Sequence, residues 1–548
     1  MTYIHDKKFI SPNQIGFMEG AQTSDHIFLL QTIIEKVVKR NRKKLFCAFV
    51  DFKKAYDTVN RTTLLRKLQN LGINGIFYKN IATMYADSEY SIKLRNSFLD
   101  PIKSNLGLRQ GCPLSPILFN IYIDDIKNIF HENCDPIEIQ GKQINHFLYA
   151  DDLVLLSSSA EGLQNCLERL KEFSMANNQA INTGKTKTMI FNHTGRLIRQ
   201  NFFVGNIKLE QVQIFCYLGF EVKASGVVSS AINTLYDKAN KAMRPLMGVI
   251  SRFSIPIRTS LKLFHTYISP IILYTTENWV TLSNRKLQNF TQDSIFSGTY
   301  NEKTDILHRH FLKYILGTSR SCPNMAVYGE TGEIPLSLKS YRLMLNYWYR
   351  LTKLSDDTLV KTALTENTLL RTNWIKTIEK LINLFNLTDL PGNLALFKVK
   401  VQKTITDKFI RFWEGYKKNE TPSRMQFYNE IKTQFAFENY LDIPNFSLRK
   451  IITKFRCSDH ILEIEKGRHN KIPREERVCK VCDCEEIETE EHFLIKCKFY
   501  EKIKWKYQMS QYENSLHFLC ETSPEYLGRY LIEAFAERKT AYETFLRK

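Results

Sequence analysis

The sequence predicts an α+β protein, on three observations. FLYADDLVLL (147–156) sets two adjacent acids, Asp151 and Asp152, between two short apolar runs of strand length, where a hairpin would turn. KLFCAFVD (44–51) is a continuous apolar run, read as a buried strand, that ends in a third acid, Asp51. Much of the rest has helical spacing: Leu64, Leu65, Leu68 and Leu71 ahead of a stop at Gly72, the basic stretch 223–250, and most of 300–470.

The hairpin carries the chemistry. A tight turn would hold both carboxylates at one place, and two like charges about 4 Å apart repel by roughly 4 kcal/mol at an effective dielectric near ~20. A divalent cation removes that cost, and hard oxygen ligands suit magnesium. Such a site serves phosphoryl or nucleotidyl transfer. Asp51, at a strand end, can reach the acids of a neighbouring hairpin. A second pair, Asp124 and Asp125, closes SPILFNIYIDDI (115–126). Ser115 reads there as an N-cap and Pro116 as the first helical residue. Neighbours on a helix do not face each other, so this pair is expected at a solvated helix end. Between the acidic sites lies GLRQGCPLSPILFN (107–120), where Gly111 lets backbone approach a ligand closely. INTGKTKTMIF (181–191) sets Lys185 and Lys187 before a further apolar strand.

Taken in order, these segments resemble the reverse transcriptase of non-LTR retrotransposons (LINE elements): acid strand, RQG-P-L-S-P helix, Y-A-D-D hairpin, N-x-G-K-T-K. QIGFMEGAQTSDHIFLL (14–30) looks like the family's fingers motif and FCYLGFEV (215–222) like the hairpin after its palm. YISPIILYTTENW (267–279) is similar to its thumb segment, and 311–336 to its C-terminal pattern. The resemblance implies a right-hand polymerase. Fingers and an antiparallel-sheet palm would occupy 1–225 and a helical thumb 226–300. A helical region would follow over 301–470, with a zinc knuckle and tail over 471–548. It implies RNA-templated DNA synthesis from dNTPs onto a DNA primer or target. Asp51, Asp151 and Asp152 would hold two Mg2+ ions, with the Phe52 carbonyl as an extra ligand. Tyr56 would stand at the sugar gate, against a ribose 2′-hydroxyl. Gln110 and Gly111 would line the nascent base pair. Lys185 or Lys187 would protonate pyrophosphate, with a solvated turn as the plainer reading of both lysines.

There are departures. Where relatives often carry arginine in the fingers motif, this chain has Met18, Glu19 and Ala21. The triphosphate contact would then fall to Lys53, Arg42 or Lys43. The chain starts about a dozen residues before that motif, without the further finger residues of relatives. Neither a nuclease nor an RNase H constellation is evident, so the chain reads as a polymerase part of a longer frame.

The cysteines give an independent signal. VCKVCDCEEIETEEHFLIKC spells C-x2-C-x9-H-x4-C through Cys479, Cys482, His492 and Cys497. Three thiolates and an imidazole close a tetrahedral, structural Zn2+ site. Cys484 is a spare. No signal peptide opens the chain, so reduced thiols are expected rather than a disulfide framework. The resemblance implies that this knuckle contacts nucleic acid. Its acidic centre leaves that contact to flanks such as KGRHNKIPREER (466–477) and to Lys496 and Lys498.

A net charge of +20 fits a polyanionic partner. No apolar run approaches the ~20 residues of a membrane span, so no membrane partner is expected. The site of action is expected to be an intracellular ribonucleoprotein, nuclear or cytoplasmic. Two other readings stay open: a decayed or domesticated chain that binds RNA without polymerising, and an RNA-dependent RNA polymerase, which shares the palm. Tyr56 and the Y-A-D-D hairpin favour deoxynucleotides.

Overall fold

A computed structural model describes residues 9–508, 519 and 522–547, except 87, 131, 298–301 and 419–423. The chain forms two compact units. One comprises residues 1–231, 277–283 and 347–379; the other comprises 232–276, 284–346 and 380–548.

The first unit is built on a five-stranded sheet. Its strands are β1 (Leu45–Val50), β2 (His146–Tyr149), β3 (Asp152–Ser157), β4 (Lys187–Phe191) and β5 (Glu210–Gln211), in the order β5-β4-β1-β3-β2. All six residues of β1 are buried. It lies antiparallel between β3, with Val50 opposite Leu153, and β4, with Leu45 opposite Phe191. This explains why LFCAFV is apolar at every position: both faces of a central strand are covered. On one face, α1 (Ala160–Ala176) lays Leu163, Cys166, Leu167 and Leu170 against Ala48, Val50 and Leu155. It begins at Ser159, whose side chain accepts from the Gly162 amide. On the other face, Phe49 stacks on Phe215 at 4.2 Å. Phe215 belongs to the antiparallel hairpin Ile214–Tyr217/Phe220–Lys223, the pairing expected of FCYLGFEV.

Two expectations about the 115–126 segment need correction. The helix runs Ser115–Ile123 with Leu114 as its N-cap, and the Ser115 hydroxyl donates to the Arg109 carbonyl instead of capping. Asp124 is not solvated. It is buried, accepts the Ser11 amide at 2.7 Å and pairs with Lys127 at 2.5 Å. The N-terminal strap needs an acceptor there, and Asp124 supplies it. Asp125 is exposed and pairs with Lys67 at 2.9 Å.

The second unit is helical among its described residues. Trp413, Tyr328, Tyr341 and Tyr428 are fully buried in its core, and the Trp413 indole donates to the Met325 carbonyl at 3.0 Å. No described helix is long and apolar enough to cross a membrane.

Candidate active site and cysteine cluster

Register brings the acids together. Val50 pairs with Leu153, so Asp51 leaves the end of β1 beside the start of β3. Tyr149 pairs with Asp152, which leaves Ala150 and Asp151 as a two-residue turn. The sequence reading put both acids in the turn; Asp152 is instead the first residue of β3, so the two carboxylates leave the hairpin at different points. The three acids do not draw their oxygens to within 4.8 Å of one another, yet they feel one another. Partial burial raises the pKa of Asp151, and Asp51 raises it further. Burial, then Asp151, then Asp51 push Asp152 up to about 6. This crowding of like charges is what a cation relieves.

Asp51 is clamped by the loop after α1. Its side chain accepts from the Asn182 amide group at 2.8 Å, its carbonyl accepts the Asn182 backbone N–H at 2.8 Å, and its own N–H donates to the Thr186 hydroxyl at 3.2 Å. Nothing local to the N-x-G-K-T-K segment marks Asn182 or Thr186 for this work. The same loop separates the two lysines. Lys187 is tied to Glu210 at 2.6 Å and to the Gly184 carbonyl at 2.6 Å. Lys185 is exposed, three residues from the Asn182 anchor.

Tyr56 stacks on Phe119, with ring centroids 4.5 Å apart. Its buried hydroxyl has no hydrogen-bond partner, and burial with the nearby Asp151 charge pushes its pKa up to about 12. Phe52 is buried and bridges to Ile181. Gln110 is held outward by Asp57 at 2.9 Å. Gly111 has φ +85°, and nothing lies within 4 Å of where a Cβ would be, so its backbone faces open space.

The residue that sequence reasoning missed most is Gln14. Ala150 sits at φ +57°, a position that favours glycine. Gln14, itself buried, accepts the Ala150 N–H and donates to the Ala150 carbonyl, both at 2.9 Å. Gly16 presses on the same turn: a Cβ there would lie 2.1 Å from the Ala150 nitrogen. The only signal was a glutamine and a glycine two apart in the N-terminal strap. Gln14→Ala frees both polar groups of a strained turn. It is expected to lower any metal-dependent turnover by roughly 10–100-fold with little change in substrate KM, which steady-state kinetics on the variant will check.

The second unit carries the cysteine cluster. Cys479, Cys482, His492 and Cys497 bring their four ligand atoms within 4.8 Å of one another. A bridge between Val478 and Ile487, the Cys479 N–H on the Glu486 carbonyl, and the Cys497 N–H on the His492 carbonyl shape the loop. Nδ1 of His492 faces Glu486 at 3.0 Å, so Nε2 points at the Cys482 sulfur, 3.4 Å away. A ligand histidine needs this carboxylate behind it. A hydrogen bond from Cys497 holds the Cys479 thiol down at about 3. Cys484 stands outside the four and interacts with Cys482.

Comparison with known proteins agrees with this geometry. Residues 1–222 match the family described as reverse transcriptase (RNA-dependent DNA polymerase). A Pol polyprotein of the type-1 retrotransposable element R2 from Nasonia vitripennis is 27% identical over 267 residues, 46% of this chain and 26% of that protein. Its counterpart from Popillia japonica is 26% identical over 343 residues, 61% of this chain and 45% of that one. The probable RNA-directed DNA polymerase from transposon BS of Drosophila melanogaster is 24% identical over 322 residues, covering 56% and 34%. The chain thus spans less than half the length of these relatives. Telomerase from Candida tropicalis, solved with a fragment of telomeric RNA, covers 68% of this chain and 53% of its own at 13% identity and a TM-score of 0.29, too loose a likeness to argue from. The strand-end acid, the acidic hairpin and the matched span make residues 1–222 a reverse transcriptase domain. Within that class, the relatives it is similar to are polymerase proteins of transposable elements.

Proposed function

We propose that this chain is an RNA-directed DNA polymerase that extends a DNA primer on an RNA template. The observation that carries the reading is the register that sets Asp51 beside the Asp151–Asp152 hairpin, with the carboxyl pKa values of Asp151 and Asp152 raised by burial and mutual charge. These acids, with the Phe52 carbonyl, suit two Mg2+ ions, which when bound would stabilise the charge on attacking and leaving oxygens. The chain's own residues do the rest. Asn182 and Thr186 fix Asp51, and Gln14 fixes the hairpin turn. Lys185, exposed and untied, is better placed than Lys187 to give a proton to pyrophosphate. Gln110 and Gly111 would border the nascent pair. The four cysteine and histidine ligands fit a structural zinc ion.

The test is primer extension by the purified chain on an RNA template with Mg2+ and dNTPs, beside an Asp151→Ala control. Extension that disappears in the control supports the reading. Tight RNA binding with no extension by either protein would replace it with the non-catalytic one. The Tyr56 ring separates DNA from RNA synthesis. If it stands against the ribose 2′-hydroxyl, Tyr56→Ala narrows the preference for dNTP over rNTP by about tenfold or more. Single-nucleotide insertion kinetics with matched dNTP and rNTP measure this directly.

A further inference from the structure

Among the described residues, a second group of metal-ligating side chains closes to within 4.8 Å: His265, His308 and Glu333. All lie in the second unit, and no sequence motif points to them. His265 stands on a single wide π-helical turn, Phe264–Ile268, a distortion often found at functional sites. His308 is in the helix Lys303–Leu316, and Glu333 follows Gly332, which ends the helix Asn324–Thr331 at φ +66°. Three separate elements therefore converge on one point.

The geometry is that of ligands. Nε2 of His265 and Nε2 of His308 both face the same Glu333 oxygen, at 2.9 Å and 3.7 Å. Neighbouring donors around one tetrahedral zinc, with bonds of about 2.0–2.1 Å, stand roughly 3.3 Å apart. The independent sign is His308 itself. Its ring is 0% exposed, stacked 5.2 Å from Phe264, and neither ring nitrogen has a hydrogen-bond partner. A fully buried imidazole with two unmet nitrogens is costly. Wholly buried, the ring has no water to stabilise a charge, and a neutral imidazole has a lone pair to offer. Glu333, facing both histidines through one oxygen, supplies the negative charge.

We propose that His265, His308 and Glu333 bind a divalent transition-metal ion, zinc by ligand type, with a fourth position left for water, as a centre distinct from the cysteine cluster. The ion takes the place of the proton that His265 Nε2 now donates to Glu333; that proton moves to Nδ1, so the ring stays neutral as it ligates. Lys339 is the opposing element. Its ammonium lies 3.0 Å from His265 Nδ1 and 3.4 Å from Nε2, so it must swing aside when a cation enters.

The test uses the full chain with its cysteine site intact. After loading with Zn2+ and desalting, bound metal is counted with and without Glu333→Gln or His308→Gln. The parent is expected to hold one equivalent more than either variant. Loaded with Co2+, parent and variants should show equal thiolate charge-transfer absorption. Lys339→Met should tighten Zn2+ binding several-fold in competition with a chromophoric chelator. Equal metal in parent and variants overturns the proposal, as does no binding in the parent. If far-UV circular dichroism shows that His308→Gln has not folded, Glu333→Gln and Lys339→Met decide: unchanged affinity in both overturns the site.

Discussion

Asp152→Asn is expected to do two opposite things: abolish primer extension and make the metal-free chain more stable. A two-metal polymerase site that loses one carboxylate forfeits several kcal/mol of charge stabilisation, so turnover should fall by about 10³-fold or more. The stability effect has the other sign because Asp152 titrates at about 6 in the folded chain against 3.8 when free. Its contribution to stability is fully present below the free value and is lost as pH rises through about 6. At neutral pH the ionised carboxylate therefore sits in the folded site at a cost, next to Asp151 and Asp51. The amide removes that charge. The side chain is only partly buried, and solvent screens the effect, so a small rise in Tm is expected near pH 7.5 and none near pH 4. Mg2+ should raise the Tm of the parent, since an ion that binds only the folded state stabilises by mass action. It should barely move the variant. Scanning calorimetry of both proteins at two pH values, with and without Mg2+, reads all four quantities. A variant that is less stable than the parent without metal would mean that the three acids do not crowd one another.

The acids were legible in the sequence because strand ends and hairpin turns are marked by abrupt changes from apolar runs to charge. Asp51, Asp151 and Asp152 stand at such changes. The residues that hold them were less so. Gln14 acts across 136 positions, and Asn182 reaches back 131 to Asp51. No local pattern reports a bond of that span. Asp124 failed for the same reason: its partner, the Ser11 amide, lies 113 residues upstream in a strap with no distinctive composition. The hairpin failed in a smaller way. Alternation told where the strands were, but only register could say that Asp152 begins a strand while Asp151 turns. The cysteine cluster was readable because its ligands are close in sequence. The His265–His308–Glu333 group was not, because its ligands come from three elements and each residue alone reads as a helix or loop position.

Removing zinc from the cysteine cluster, if that ion holds it, is expected to unfold residues 478–497 and to undock the C-terminal helix Pro524–Arg547. The 478–497 loop has an acidic centre. What anchors it is a buried ion pair, Arg538 on Glu488 with two bonds of 2.7 and 2.6 Å, and the ring of Phe493 stacked 4.7 Å from Phe535. Both contacts need the loop in its closed shape. Without a metal, the loop would depend on hydrogen bonds among its own thiols and imidazole. Loss of a structural metal belongs with the few changes that exceed about 4 kcal/mol. Cys479→Ser should therefore lower the unfolding temperature of the second unit and open the Arg477–Lys480 segment to trypsin, with zinc content falling by one equivalent. Glu486→Gln is the finer probe. It keeps all four ligands and removes only the carboxylate behind His492, so zinc affinity should drop by roughly 10–100-fold while saturating zinc restores the fold. Acidification should act in the same direction, because thiolates and imidazole must shed protons to bind. If Cys479→Ser leaves both the trypsin pattern and the melting temperature unchanged, the four residues are held by packing alone, and the Arg538–Glu488 pair is then sufficient to close the loop.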